Sequence, residues 1–101
     1  SMAAYVIGKV KDDRVTVFMK RGCPYSRNAL EMLKKHIYLP DRLHVFDITG
    51  MEDVQDYLQD VTGERTVPRI FIGRQCIGGY TELENLSWKL PEMLRQIGAM
   101  K

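Results

Sequence analysis

Val15-Thr16-Val17-Phe18-Met19-Lys20-Arg21-Gly22-Cys23-Pro24-Tyr25-Ser26 is the stretch on which the fold turns. Its first five residues are β-branched or large and nearly continuous in apolar character, as in a strand buried on both faces. Lys20-Arg21-Gly22 ends that run as a turn. Pro24 then suits the first turn of a helix, where its missing N–H costs nothing. Beyond it, Ala29, Leu30, Leu33 and Ile37 recur at helical spacing, with Arg27, Glu31, Lys34 and Lys35 facing out. The spacing predicts a helix through Ile37, broken by Pro40-Asp41-Arg42. Cys23 therefore stands between a buried strand and the start of a helix.

Working outward, Ala3 to Val10 is weakly helical and packs through Tyr5 and Val6, and Lys11 to Arg14 is a polar turn. His44-Val45-Phe46-Asp47-Ile48 reads as a second strand. Val54, Tyr57, Leu58 and Val61 mark a helix that Gly63 closes. Arg69 to Ile72 and Gln75 to Ile77 flank Gly73-Arg74, the pattern of an antiparallel hairpin. Two short helices follow, separated by Pro91, and Leu90, Met93, Leu94 and Ile97 form the last apolar face. The order α-β-α-β-α-β-β-α predicts an α/β fold: a four-stranded mixed sheet with helices on both faces.

With 101 residues, the chain reads as a single domain spanning 1–101. A composition of 45% hydrophobic and 28% charged residues argues against disorder. A net charge of +2 lacks the basic excess that nucleic acid or an anionic membrane surface requires. No apolar run is long enough for a transmembrane helix. The two cysteines, Cys23 and Cys76, are too few for a disulfide scaffold or a four-ligand zinc site, so no metal is expected. They fit a reducing compartment. No signal peptide is visible. Ser1-Met2 reads as an expression scar, which leaves open a leader removed upstream.

Cys23 carries the chemistry. A helix N-terminus offers unpaired N–H groups and about half a unit of positive charge, and both stabilise a thiolate. Lys20 and Arg21 add cationic charge nearby. A cysteine so placed titrates below the free value of about 8.5. Its nucleophilicity falls as its pKa falls, so attack improves little. The larger gain is that the same sulfur leaves readily when another thiol attacks. Such a cysteine suits the transfer of a disulfide-linked group on and off itself. Cys23-Pro24-Tyr25-Ser26 has C-x-x-C spacing with serine in the second cysteine position. Serine cannot close a disulfide, so Cys23 must be resolved by an external thiol. Ser26 is either that replaced position or a helix-surface residue without a role.

Two further motifs bear on binding. In Thr66-Val67-Pro68, proline precedes a strand, where no ladder N–H is needed. A cis Val67-Pro68 bond would present the Val67 backbone to an extended peptide; the sequence leaves the isomer open. Gly78-Gly79-Tyr80-Thr81-Glu82 sets a tight turn at a helix start, whose free N–H groups suit a carboxylate while Glu82 suits an ammonium. The plain alternative is a glycine turn with an ordinary first-turn acid. Gly73 to Tyr80 lacks the Lys-Ser/Thr ending of a phosphate loop. Cys76 reads as packed and inward. His36, His44, Trp88 and the methionines show no ligand pattern.

Taken together, Cys23-Pro24-Tyr25, Thr66 through Gly73 and Cys76-Ile77-Gly78-Gly79 resemble the glutaredoxin family, within the thioredoxin-like fold, over roughly residues 3 to 99. The likeness is to small cytosolic vertebrate-type and poxvirus-type members with a C-P-Y-C motif. It implies glutathione as co-substrate, glutathionylated proteins as partners, a monomer, and a cytoplasmic location. Cys23 would be the nucleophile. Lys20 and Gln55 would face the glycine carboxylate of glutathione. Val67 would pair with its cysteine backbone beside Thr66, with Pro68 cis. Gly79 and Tyr80 would line the γ-glutamyl end, and Thr81 and Glu82 would hold its carboxylate and amine. Tyr25 would flank the sulfur, and Arg65 would add charge. The chain departs from the family at Ser26, at Glu82 where aspartate is usual, and at Tyr80, which is larger than the usual residue. Ser26 is either native to a monothiol protein or an engineered replacement of a resolving cysteine.

The expected activity is release of glutathione from protein mixed disulfides by a monothiol route through Cys23. Two rivals remain at this point. One is a glutathione-ligated iron–sulfur cluster carrier, which Pro24 disfavours; the other is a redox-inert glutathione-binding module.

Overall fold

Every buried strand must bring its side chains to a partner layer, and Val15 to Met19 (β1) does so on two sides at once. In the computed structural model, which describes residues 1–101, β1 pairs in parallel with Leu43–Asp47 (β2) and antiparallel with Arg69–Ile72 (β3). Gln75–Gly78 (β4) completes a sheet of order β2-β1-β3-β4, joined antiparallel to β3 with a register shift at Ile70/Phe71. Helices Met2–Lys9 (α1), Pro24–Leu33 (α2), Glu52–Thr62 (α3), Tyr80–Leu86 (α4) and Leu90–Gln96 (α5) surround it, with a 3-10 turn at Ser87–Lys89. This is the four-stranded mixed sheet that the element order predicts, in the thioredoxin-like arrangement that the resemblance implies. No helix is long and apolar enough to cross a membrane.

Strand alternation divides the core. Val15, Val17, Ile70 and Ile72 meet Ala29 and Leu33 of α2, Leu83 of α4, and Leu90 and Leu94 of α5 on one face. Phe18 and Phe71 meet Val6 of α1, Ile48, and Val54 and Leu58 of α3 on the other. Thr16, also fully buried, satisfies its hydroxyl by donating to the Lys9 C=O at the end of α1 (3.4 Å). The two inner strands are thus packed on both sides, and the chain ends that leave them are held in place.

Most predicted elements hold to within a residue or two, the usual uncertainty of helix and strand ends. Gly63 closes α3 in the left-handed region, at φ 87°, where only glycine is unstrained. Pro91 sits in the first turn of α5. The exception is α2. It ends at Leu33 instead of running through Ile37, which is 87% exposed. The Tyr38 hydroxyl donates to the Leu33 C=O at 2.8 Å, satisfying one of the carbonyls that a helix end leaves free. The Leu39 N–H donates to the Ala99 C=O at 2.9 Å and turns the chain toward β2. The apparent helical place of Ile37 was a coincidence of spacing.

Leu33→Ala, which opens a cavity in the first cluster, is expected to cost about 2–5 kcal/mol. Ile37→Ser is expected to change stability by less than about 0.5 kcal/mol. Urea unfolding of both variants checks the pair; comparable losses would show that Ile37 packs after all.

Candidate active site

Cys23 is the N-cap of α2, with extended backbone at φ −86° and ψ 115°. The turn that brings it there needs Gly22 in the left-handed region, at φ 78°. Pro24 supplies no N–H, so the first free amides of the helix belong to Tyr25 and Ser26. As a thiol, the half-exposed sulfur makes no capping bond and donates weakly to the Val67 C=O at 3.8 Å. Burial alone raises its pKa, because a charge loses water there. The Ser26 hydroxyl, the Ser26 and Tyr25 amides and the Lys20 ammonium outweigh that effect, and the net shift is downward. The thiolate is therefore the favoured form relative to a free cysteine.

Ser26 explains part of this. It is fully buried, and its hydroxyl has no hydrogen-bond partner of ordinary geometry while the sulfur is protonated. A buried orphan hydroxyl costs about 1–3 kcal/mol. Ionisation of Cys23 gives that hydroxyl an acceptor. The reading of Ser26 as a helix-surface residue is therefore wrong, since its side chain turns inward toward the sulfur. Arg21 also corrects an expectation. Its guanidinium pairs with Asp47 at 2.9 Å, and its charge does not contribute at Cys23.

Beside the sulfur runs a groove of about 600 Å³, within the range of small-molecule sites. The predicted residues Tyr25, Thr66, Val67, Gly79, Tyr80, Thr81 and Glu82 line it. The Val67-Pro68 bond is cis, and Pro68, also a predicted site residue, is fully buried and does not itself line the groove. Tyr25, 62% exposed, and Tyr80 set their rings 6.2 Å apart at a 30° tilt. The Tyr80 hydroxyl donates to Glu84 at 3.1 Å, and this bond raises its pKa, keeping the phenol protonated. Glu82 folds back so that Oε1 accepts the Gly79 N–H at 2.8 Å. Gly78 permits this close approach, because a Cβ there would come within 2.5 Å of Glu82 Oε1.

Lys20 and Gln55 do not line the groove. Lys20 acts on the sulfur by its charge. Gln55 is buried, and its Nε2 donates to the Arg65 C=O at 2.8 Å, leaving Oε1 without a partner. Arg65 pairs with Glu52 at 2.6 Å and with Asp56, so its charge is largely neutralised. Cys76 packs against the Phe18 cluster as expected, yet it also reaches the groove. Sequence reasoning missed Thr62, Glu64, Ile77 and above all Arg69 as lining residues. The available signal was a lone arginine opening the otherwise apolar strand Arg69-Ile70-Phe71-Ile72.

Ser26→Ala is expected to move the Cys23 pKa upward, seen as a higher midpoint in the pH profile of thiol alkylation. The lowered folded pKa means that the native state binds fewer protons than the unfolded chain between the folded value and that of a free thiol. Stability should therefore rise with pH across that window and be lost as pH falls through the folded pKa. Unfolding midpoints measured against pH should show a shallower rise in Ser26→Ala, with no fall in stability on the acid side, where the orphan hydroxyl has been removed.

Comparison with known proteins agrees with this geometry. The Glutaredoxin family model matches residues 15–77. Glutaredoxin-1 of Gallus gallus is 54% identical over 97 residues, covering 96% of each chain. Glutaredoxin-1 of Homo sapiens is 44% identical over 102 residues, again 96% of each. The crystal structure of a buckwheat glutaredoxin–glutathione complex superposes with a TM-score of 0.86 at 27% identity, over 99% of this chain and 93% of that one. A thiolate-biased cysteine at a helix start, the carbonyl of a cis Val67-Pro68 bond beside its sulfur and these likenesses along the whole chain lead to one conclusion: the protein belongs to the glutaredoxin family of glutathione-dependent thiol oxidoreductases.

Proposed function

We propose that the protein strips glutathione from protein mixed disulfides through one sulfur, that of Cys23, in a C-P-Y-C-type site with serine in the fourth place. The observation that carries this is the half-exposed Cys23 sulfur, biased toward thiolate and 3.8 Å from the Val67 carbonyl beside the groove. An extended tripeptide fits such a segment by pairing its backbone with that of Val67 next to Thr66 and the cis Pro68. Its γ-glutamyl end lies along Gly79 and Tyr80, with Thr81 and Glu82 taking its carboxylate and amine. Lys20 draws the glycine carboxylate, and the second Nε2 hydrogen of Gln55 remains to assist. Tyr25 flanks the sulfur. All these groups come from one chain, so a monomer suffices.

The Cys23 thiolate attacks the glutathionyl sulfur of the substrate. The S–S bond breaks, the partner protein leaves as a thiolate that takes a proton from solvent, and glutathione remains on Cys23. A second glutathione, as thiolate, attacks that same sulfur. Oxidised glutathione departs and the Cys23 thiolate returns. The low pKa serves this second step most, because it makes Cys23 a good leaving group. Nothing in the cycle requires a thiol at position 26, whether Ser26 is native or substituted.

Incubation with oxidised glutathione is expected to add one glutathione to the intact mass, and Cys23→Ser should lose both the adduct and turnover in a glutathione-coupled assay. Absence of an adduct on the unmodified chain would favour a redox-inert binding module. A brown dimer on purification would favour cluster carriage. Lys20→Met is expected to raise KM for glutathione about two- to fivefold, the range of an exposed charge pair, and to move the Cys23 alkylation midpoint upward. Steady-state kinetics and the alkylation profile check the two effects separately.

A further inference from the structure

The chain has eight arginines. Arg14, Arg21, Arg42, Arg65 and Arg74 pair with carboxylates, and Arg27 and Arg95 are exposed. Arg69 alone is buried, at 5% exposure, without an acidic partner. Its Nε donates to the Pro68 C=O at 3.2 Å and its Nη2 to Thr66 Oγ1 at 3.4 Å, while Nη1 makes no hydrogen bond. These are neutral acceptors, and they do not balance a buried positive charge. Arg69 lines the groove, and its guanidinium lies beside two other lining residues, Thr66 and Gly79.

Gly79 adds a second observation. Its φ of −109° is open to any residue, so backbone strain does not demand glycine there. Space does: a Cβ would stand 3.0 Å from Arg69 Nη2 and 3.2 Å from the Pro68 oxygen. The same point is 3.7 Å from Glu82 Oε1. No direct ion pair joins Arg69 and Glu82, yet a buried cation and a carboxylate flank one glycine on the groove. That is the charge pattern of a site for an α-amino acid, whose carboxylate and ammonium sit on one carbon.

We infer that Arg69 is the anion anchor of the groove, binding the α-carboxylate at the γ-glutamyl end of glutathione and setting the preference for that end. The inference rests on the glutathione reading above and adds a residue to it. Guanidinium matches a carboxylate with two parallel N–H groups, which an ammonium cannot copy. A bound carboxylate would also supply the counter-charge that the fold itself omits.

The test compares two thiols as the reductant of a Cys23 adduct: glutathione and its analogue with 4-aminobutyrate in place of the γ-glutamyl residue, which lacks only the α-carboxylate and carries its amine at the chain end. The unmodified protein should favour glutathione in kcat/KM by about ten- to a hundredfold, the range of a charge-assisted hydrogen bond. In Arg69→Met that preference should shrink to within about threefold, through KM for glutathione, with kcat nearly kept. Arg69→Lys should recover part of it. A merely structural arginine would lower thermal stability and slow both thiols equally. Should Arg69→Met fail to fold, Arg69→Lys carries the same comparison. Retained preference in the folded variants, or none in the unmodified protein, overturns the proposal. Failure of glutathione to form any adduct on Cys23 overturns the underlying reading instead.

Discussion

Everything at the site depends on where the Cys23 sulfur meets the first turn of α2. A thiol there is a poor cap, and a thiolate is a good one. The orphan amides of Tyr25 and Ser26 and the enclosed Ser26 hydroxyl lack a full partner until the sulfur carries charge. Burial opposes ionisation, and the hydrogen bonds prevail because several of them converge on one atom. The Val67 carbonyl approaches the same sulfur from the segment that leads into β3, so the thiol proton also has an acceptor before it leaves. Two segments distant in the chain thus meet at one sulfur.

The groove is built from similarly reciprocal constraints. Glu82 can fold back onto the Gly79 N–H only because Gly78 has no side chain. One carboxylate oxygen is thereby engaged, and the other is left for a ligand. Glu82 thus caps the start of its own helix. Tyr80 sets its ring near that of Tyr25, and both line the groove.

The framework was legible because it is written in local pattern. The apolar run of β1, the hairpin around Gly73-Arg74, and the Gly63 stop each follow from residues adjacent in sequence. The same holds for the cysteine at a strand–helix junction. What escaped was set by partners far along the chain. Nothing near Ile37 announces that the Tyr38 hydroxyl will cap Leu33, and nothing near Arg21 announces Asp47. Ser26 is polar and helical, which usually means exposed; only the packed helix shows it turned inward. Arg69 opens a strand, where arginine is commonly at the rim, and its burial emerges only when α4 starts over it. The resemblance located the groove but weighted residues by family habit, so this arginine passed unnoticed.

The sandwiching of β1 and β3 between two apolar layers has a bearing on how such a chain can change. Both reactive edges are anchored to the least deformable part of the molecule, whereas the Lys34–Pro40 connection carries a solvent-facing isoleucine at Ile37. Engineers can therefore graft a tether or reporter dye at Ile37, past the end of α2 remote from Cys23, while the redox geometry stays in register.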